Sequence, residues 1–339
     1  MMLRYALVEE SYKSRYGIAE TRGNSKLFEK RNISLVAARN DWAAFQVLLC
    51  GDEEYTLSVG SSPCFSPKGP LTNVRVDVEV EGLPANAVNV NLVGFVEDDD
   101  RVFKADILLH DEAVHVKPYI CQPVWVEIEV PADTETGRYY GQVSIYSHVM
   151  FDDEERIDTL DFELEVKDVV MPSPCRQKFH LDLWQHLSNI ARKHEVPLWS
   201  EEHFRVVENY VKSLAELGQR AVTAVVSEIP WSGQSCFHVS NYPSDLFEYN
   251  MVRVIKNEKG CYIYDYTALE RYVELCFKHG IDKEIEVFGL INIWVQPDDG
   301  YGSLTDEFPD AIRIRYYDEA GKCFRYMRAA ADIEEYIKS

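Results

Sequence analysis

The chain has 339 residues, enough for two domains, and its composition of 46% hydrophobic and 27% charged residues is that of a globular protein. Its 57 acidic and 35 basic residues give a formal net charge of −22. Such a surface repels phosphate backbones and anionic headgroups, which argues against nucleic acid and membranes as partners but is compatible with a neutral ligand. The N-terminus has no apolar signal segment, and no stretch reaches the ~18 apolar residues of a membrane span, so we expect a cytoplasmic protein.

The eight cysteines are scattered along the chain, without a CxxC pair and without a closely spaced set that includes histidine. Structural metal sites in proteins use short, regular ligand spacings, so we expect neither a metal site nor a cofactor. In a reducing compartment these thiols stay free.

Residues 1–170 are predicted to form an antiparallel β-sandwich. Segments 74–81, 124–130 and 160–166 alternate apolar and polar residues, the period of a strand with one buried and one exposed face. Less regular strand candidates are 33–37, 43–49, 55–59, 88–96 and 139–147. Many short strands separated by turn sequences are typical of a sandwich.

A different pattern begins after Pro172 and Pro174, which form a short, stiff linker. Strands and helices now alternate, as in a parallel α/β domain, and we interpret residues 177–339 as the N-terminal part of a (β/α)8 barrel. The predicted order is strand 177–184, a helix from the N-cap Ser200 to Gly218, strand 220–227, hairpin 251–255 with 262–266, a helix from Thr267 (capping box with Glu270) to Gly280, strand 284–294, hairpin 312–317 with 324–328, and a helix starting at Asp332. Three parallel strands leave an edge unpaired, so we expect the barrel to be truncated.

Strand 177–184 carries the first candidate site. Alternation along a strand places His180, Asp182 and Trp184 on one face, whereas residues 179, 181 and 183 (Phe, Leu, Leu) should pack against helices. Barrel interiors are normally filled by branched apolar side chains, so a polar face near the carboxyl end of a strand indicates ligand binding. A hydrogen-bonded His–Asp pair covered by the tryptophan is the purely structural alternative.

Two further tryptophans, Trp231 and Trp294, lie at the ends of the next two predicted strands. One such residue alone is more often part of a core. Three at one rim favour sugar recognition, because indole rings stack on pyranose C–H faces while polar groups bind hydroxyls. The adjacent acidic residues at 201–202, 298–299 and 318–319 fit a helix start, a loop and a turn, so none is predicted to be a catalytic pair of carboxylates.

The sequence FHLDLWQH at 179–186, followed by LWSEEHF at 198–204, resembles the opening of the catalytic domain of glycoside hydrolase family 123. Segments 230–231, 264–266 and 312–328 resemble the same domain, and segments 122–125 and 137–141 resemble the N-terminal domain of that family. The resemblance covers essentially the whole chain. Leu187 departs from it, since relatives are expected to have proline there.

The resemblance implies hydrolysis of terminal β-linked N-acetylhexosamine, with N-acetylgalactosamine favoured, by a substrate-assisted retaining mechanism. The acetamido group of the sugar is the nucleophile, an aspartate orients it, and the next residue, a glutamate, is the general acid/base. We expect that pair beyond Ser339, so no catalytic residue is assigned and the chain as given is expected to be inactive. The expected partner is a glycan or amino-sugar glycoside.

The same resemblance implies a sugar-facing wall that comprises His180, Asp182, Trp184, Gln185, Trp231, Asp265, Asn292 and Trp294. Two alternatives stay open: a non-catalytic carbohydrate-binding protein, or an interaction protein derived from such an enzyme. The exact sugar, its linkage and the oligomeric state are not determined by the sequence.

Overall fold

The computed structural model describes residues 1–17, 25–63, 69–227, 250–290, 312 and 314–339. The chain divides into two compact units, Met1–Met171 and Pro172–Ser339. Within the described residues, no helix is both long enough and apolar enough to cross a membrane.

Strands dominate the first unit. They are β1 (Leu3–Glu9), β2 (Asn32–Arg39), β3 (Asp41–Gly51), β4 (Tyr55–Val59), β5 (Thr72–Val80), β6 (Val88–Glu97), β7 (Phe103–Leu108), β8 (Ala113–Val116), β9 (Gln122–Val130), β10 (Gly137–Val149) and β11 (Glu155–Val170). One sheet has the order β1-β3-β9-β6-β7 and the other β2-β11-β10-β5-β4-β8. The expected sandwich-like sheets are therefore present, although β2 with β11 and β4 with β5 pair in parallel.

The core of this unit lies between the two sheets and follows from the alternation in β5, β9 and β11. Apart from the partly exposed Trp125, every apolar residue of the three alternating segments is buried, and each contributes about 1.5–3 kcal/mol on leaving water. Phe45 of β3 meets Phe162 of β11 with ring centroids 4.8 Å apart, which joins the sheets. Gly141 of β10 faces the same ring, and a Cβ atom there would lie 2.1 Å from it.

Three edge strands, β1, β7 and β8, were not predicted. In β1 the consecutive residues Leu7 and Val8 are both buried, Leu7 in the core between the sheets and Val8 in a second cluster with Leu27 and Leu48. Burial on both faces removes the period of two that identifies a strand. In β7 the apolar residue Ile107 is 47% exposed, so its alternation is also weak.

The second unit combines helices with two small sheets. Its helices are α1 (Leu187–Lys193), α2 (Glu201–Glu216), α3 (Thr267–Lys278) and α4 (Ala330–Lys338); its strands are β12 (Ala221–Val225), β13 (Arg253–Lys256), β14 (Tyr262–Asp265), β15 (Glu284–Phe288), β16 (Arg315–Asp318) and β17 (Cys323–Tyr326). β12 and β15 form a parallel pair, and the two predicted hairpins share one sheet of order β14-β13-β16-β17. In the part of the chain that is described, these strands form no closed barrel.

The prediction of a regular strand at 177–184 is wrong. This segment contributes a single parallel bridge, Leu181 with Gln219, supported by the Arg220 backbone N–H donating to the Leu181 carbonyl at 2.8 Å. The physical reason is the side chain of Gln219, whose Oε1 accepts from the Leu183 backbone N–H at 2.8 Å. A side chain thus takes the place of the neighbouring backbone, and the ladder stops after one bridge.

The helix starts show one confirmed cap and one error. Ser200 caps α2, because its Oγ accepts from the His203 backbone N–H at 3.1 Å, and Gly218 follows the helix with φ +88°. Thr267 begins α3 but does not cap it; the carboxylate of Asp265 accepts from the Thr267 backbone N–H at 3.0 Å. Val207 and Val211 of α2 and Tyr272 of α3 pack in one buried cluster against β12.

Candidate functional site

Polar and aromatic side chains at alternate positions of the segment 180–184 and of strand β15 share one face beside the parallel pair β12–β15. We call it the polar face, and it consists of His180, Asp182, Trp184, Glu284, Glu286 and Phe288. The Nδ1 atom of His180 lies 3.7 Å from Glu284 Oε1, and the rings of Trp184 and Phe288 meet edge to face at 5.3 Å. The sequence expectation of one shared face is met for residues 180, 182 and 184, even though the regular strand is absent.

The opposite side of the same segment differs from the prediction. Phe179 and Leu183 were expected to pack against helices, but their side chains are 70% and 42% exposed. The segment makes only one strand bridge, and Leu183 is held through its backbone by Gln219. No described helix covers these two side chains, so that part of the prediction is wrong.

Asp182 lies at the centre of the polar face. Its Oδ2 accepts a hydrogen bond from the Trp184 indole N–H at 3.1 Å, which orients the ring, and that ring remains 48% exposed. The other oxygen, Oδ1, is buried and receives no hydrogen bond from the described residues. A buried polar atom without a partner costs free energy, so it is a natural position for a ligand group or a proton.

Glu286 is the carboxyl group beside Asp182. Its pKa is raised from the ordinary 4.5, first by burial, then by the negative charge of Asp182, and less by the charge of Glu284. Two adjacent carboxyl groups in a partly buried place resist ionising together. When one of them carries a proton, the centre of the polar face can donate as well as accept a hydrogen bond.

Gln185 is buried and faces the interior of the unit. Its Oε1 accepts from the Thr223 backbone N–H at 3.0 Å and from the Tyr272 hydroxyl at 2.9 Å, while its Nε2 donates to the Leu183 carbonyl. Its own backbone N–H donates to Thr223 Oγ1 at 3.2 Å. Both ends of the amide are used within the protein, so Gln185 positions the segment in this structure, and its place in the sugar-facing wall stays a prediction.

Asp265 also has a structural role. Its Oδ1 accepts from both the hydroxyl and the backbone N–H of Thr267, and these two hydrogen bonds lower the pKa of the carboxyl group. It lies in the separate sheet that contains β13 and β14. Among the described contacts none brings Asp265 to the polar face, so it is not assigned to the site.

Three other predicted site residues, Trp231, Asn292 and Trp294, lie outside the described residues. Conversely, the sequence interpretation missed Glu284, Glu286 and Phe288. The signal was present in Glu-Ile-Glu-Val-Phe, which places polar or aromatic residues at alternate positions, as does the segment from His180 to Trp184.

The described residues contain no group of three or more His, Cys, Asp or Glu side chains arranged to hold a metal ion. A groove of about 370 Å³ between α2 and α3 is lined mainly by charged side chains. In it Arg271 pairs with Glu201 at 2.5 Å, and Lys278 pairs with Glu208 at 2.8 Å. These ion pairs link two helices, and they account for the groove without a ligand.

Comparison with known families identifies the chain. A family model of the glycoside hydrolase 123 catalytic domain matches residues 184–339, and a model of the glycoside hydrolase 123 N-terminal domain matches residues 84–147. The chain belongs to glycoside hydrolase family 123. The resemblance found in the sequence is thereby confirmed, and four of the six residues of the polar face lie within the catalytic-domain match.

A solved structure of a family 123 glycoside hydrolase from Clostridium perfringens, from a study of glycolipid glycan hydrolysis, is similar to this chain. The TM-score is 0.71 at 17% sequence identity, and the match covers 99% of this chain and 54% of that one. This family 123 chain therefore spans about half the length of its structural relative, and the likeness shows the fold alone.

Other similarities are weak. A cohesin–dockerin complex from Clostridium thermocellum covers 49% of this chain and 100% of its own at 10% identity, with a TM-score of 0.22. The sporulation control protein Spo0M from Bacillus subtilis covers 52% of this chain and 51% of its own at 8% identity, also with a TM-score of 0.22. Neither carries an argument about this family 123 protein. No curated protein matches the chain.

Proposed function

We propose that this chain provides the sugar-binding part of a glycosidase that acts on terminal β-linked N-acetylhexosamine, with N-acetylgalactosamine favoured. The observation that carries the proposal is the polar face, in which Asp182 orients the exposed ring of Trp184 beside carboxyl oxygens. This face lies in the unit that contains the family's catalytic-domain match.

The chemistry of the polar face suits a neutral sugar. The half-exposed indole of Trp184 offers a flat apolar surface for the C–H face of a pyranose ring. Asp182 and Glu286 supply oxygens at its edge that can pair with ring hydroxyls. The net charge of −22 is compatible with a ligand that bears no charge.

We assign binding, and not bond cleavage, to these 339 residues. In the mechanism implied by the family, the sugar's acetamido group attacks its own anomeric carbon, an aspartate orients that group, and a glutamate transfers the proton. That aspartate–glutamate pair is proposed to belong to the part of a complete (β/α)8 barrel that residues 177–339 do not supply. General acid–base transfer alone is typically worth ~10²–10⁴-fold in rate, and contacts that only bind the ground state cannot replace it.

The test is an assay of residues 1–339 with an aryl β-N-acetylgalactosaminide. We expect no turnover by the purified chain and recovery of turnover when a segment carrying the remaining barrel and the two carboxylates is fused to it or supplied separately. Asp182→Ala in the completed protein should raise KM, whereas Glu258→Gln, in the exposed turn between β13 and β14, should not. Robust turnover by residues 1–339 alone would contradict the assignment.

The alternative function is sugar binding without catalysis, or interaction with another protein, by a chain derived from such an enzyme. It is favoured by the same polar face, which is formed without the catalytic pair. If the completed protein binds N-acetylgalactosamine but does not hydrolyse the aryl glycoside, this result would support the alternative and exclude the glycosidase function.

A further inference from the structure

The polar face is built of three side-chain pairs at a regular step of two residues. His180 meets Glu284 at 3.7 Å, and Trp184 meets Phe288 at 5.3 Å between ring centroids. Asp182 and Glu286 occupy the middle step, so the two flanking contacts place their carboxyl groups next to each other. The residues of β12 in register with β15 at the first two steps are Ala221 and Thr223, both buried and small, which leaves room for the longer side chains above them.

The middle pair consists of two acidic groups. Three charged or titratable groups face Glu286: Asp182 from the neighbouring segment, Glu284 from its own strand, and His180, which already lies beside Glu284. Asp182 has a buried oxygen that receives no hydrogen bond from the described residues. Adjacent carboxylates resist ionising together, and a proton shared between them relieves their repulsion.

We propose that Asp182 and Glu286 work as one proton-sharing carboxyl pair that recognises a hydroxyl group of a neutral sugar, donating through the carboxylic acid and accepting through the carboxylate. This inference rests on the proposed function, because it places the sugar on the polar face. The pair holds one proton and one negative charge. Without a ligand the acid proton faces the other carboxylate; on binding, the acid donates this proton's hydrogen bond to the sugar hydroxyl, which in turn donates to the carboxylate. Asp182 retains its hydrogen bond from Trp184 in that state, since the indole N–H needs only one carboxyl oxygen.

Two consequences follow for the ligand. A hydroxyl group both donates and accepts, so it matches a site that offers one acceptor and one donor. A sulfated or carboxylated sugar would bring a second negative charge to a pair that already carries one, with Glu284 on the same strand. The polar face should therefore bind N-acetylgalactosamine more tightly than N-acetylgalactosamine 6-sulfate, by at least about tenfold.

The proton-sharing is tested without any sugar, by ¹³C NMR titration of side-chain carboxyl groups in residues 1–339. Glu286 should titrate above its ordinary 4.5 in the unmodified chain, and Asp182→Asn should bring its midpoint back down because the facing charge is gone. Glu284→Gln is the matched control, and it should move the midpoint less, because Glu284 is the smaller cause. A Glu286 midpoint that Asp182→Asn leaves unchanged would overturn the proposal.

Sugar recognition is tested by measuring the Kd of N-acetylgalactosamine between about pH 4 and about pH 8. Above the Glu286 midpoint the pair loses its donor, so affinity should fall by about tenfold per pH unit. Asp182→Asn carries a permanent amide donor, and its affinity should stay level over the range in which the unmodified chain loses affinity.

The outcomes separate the two proposals. Shared titration without sugar binding at any pH would overturn the recognition step and the proposed placement of the sugar together. Sugar binding with the same pH profile in Asp182→Asn and the unmodified chain would overturn the proton-sharing pair alone. Tighter binding of the 6-sulfate than of the neutral sugar would also overturn it.

Discussion

Trp184 donates its indole N–H to Asp182, two residues earlier in the chain, at 3.1 Å, and this contact holds a half-exposed aromatic ring in one orientation. The ring is also braced edge to face by Phe288 of β15. A fixed aromatic surface costs less entropy on binding than a mobile one. The polar face is thus organised before any ligand arrives.

We predict that Asp182→Ala releases the Trp184 ring, whereas Asp182→Asn retains it, because asparagine still offers an oxygen to the indole N–H. The measurement is ¹⁹F NMR of the chain labelled with 5-fluorotryptophan, with the Trp184 resonance assigned by Trp184→Phe. Asp182→Ala should shift or broaden that resonance and leave those of Trp42 and Trp125 in the other unit unchanged. An unaltered Trp184 signal would show that the hydrogen bond does not hold the ring.

Gln185→Ala is predicted to destabilise the second unit. The substitution removes the acceptor for the buried Thr223 N–H and Tyr272 hydroxyl, and each unsatisfied buried donor costs about 1–3 kcal/mol. Urea unfolding should show this loss, and Gln185→Glu, which keeps an oxygen acceptor, should lose less. Full stability combined with lost sugar binding would return Gln185 to the sugar-facing wall.

The stability of the second unit should fall as the pH drops below about 6.5, the pKa of histidine in an unfolded chain. His203 is fully buried, its Nδ1 accepts from the Trp199 backbone N–H at 3.1 Å, and its Nε2 bonds to the Leu187 carbonyl at 2.9 Å. Burial lowers its pKa, so between the folded and the unfolded pKa the unfolded chain binds a proton at this histidine and the folded chain does not. The stabilisation is complete above the unfolded pKa and is lost as the pH falls towards the folded pKa.

Urea unfolding at about pH 7 and about pH 5.5 measures this slope. His203→Gln should be less stable at the higher pH, because the buried contacts of the ring are gone, and should show a smaller slope. His194→Gln, at an exposed histidine outside this buried contact, is the control for the loss of an imidazole ring. Half-buried His186 also has a lowered pKa, mainly because of desolvation, and contributes to the remaining slope in the same direction. An unchanged slope in His203→Gln would contradict the prediction.

Gly141→Ala should destabilise the sandwich by about 1–3 kcal/mol, because the new methyl group overlaps the Phe162 ring. The destabilisation comes from one contact, between the new methyl group and the Phe162 ring, so a smaller side chain at position 162 should relieve it. In the background Phe162→Leu, where the ring is absent, the same glycine substitution should cost less than half as much. Equal costs in both backgrounds, measured by urea unfolding, would show that the ring is not the cause.

The sequence predicts this fold best where one face of a strand or helix is exposed to solvent and the other is buried. β5, β9 and β11 were located by strict alternation, and α2 by its apolar spacing and the Ser200 cap. β1 was missed because it is buried on both faces. Segment 177–184 was mistaken for a regular strand, since its pairing depends on the Gln219 side chain, a long-range contact that no local pattern encodes.

The candidate site divides in the same way. His180, Asp182 and Trp184 were identified by alternation, and their shared face is present. Gln185 and Asp265 are of residue types that often bind sugars, but in this structure they accept hydrogen bonds from Thr223 and Thr267. Residue type alone does not distinguish a ligand contact from a structural one. Glu286 was missed because its importance comes from its neighbour across the sheet.

The central claim is that the polar face binds an amino sugar, and titration of residues 1–339 with N-acetylgalactosamine, followed at the Trp184 ¹⁹F resonance, tests it most directly. We predict a saturable shift of that resonance, which Asp182→Ala removes and which Glu258→Gln, in the exposed turn between β13 and β14, leaves intact. A Trp184 resonance that does not move as the sugar concentration is raised, in a chain whose ¹⁹F spectrum shows that it is folded, would contradict this claim.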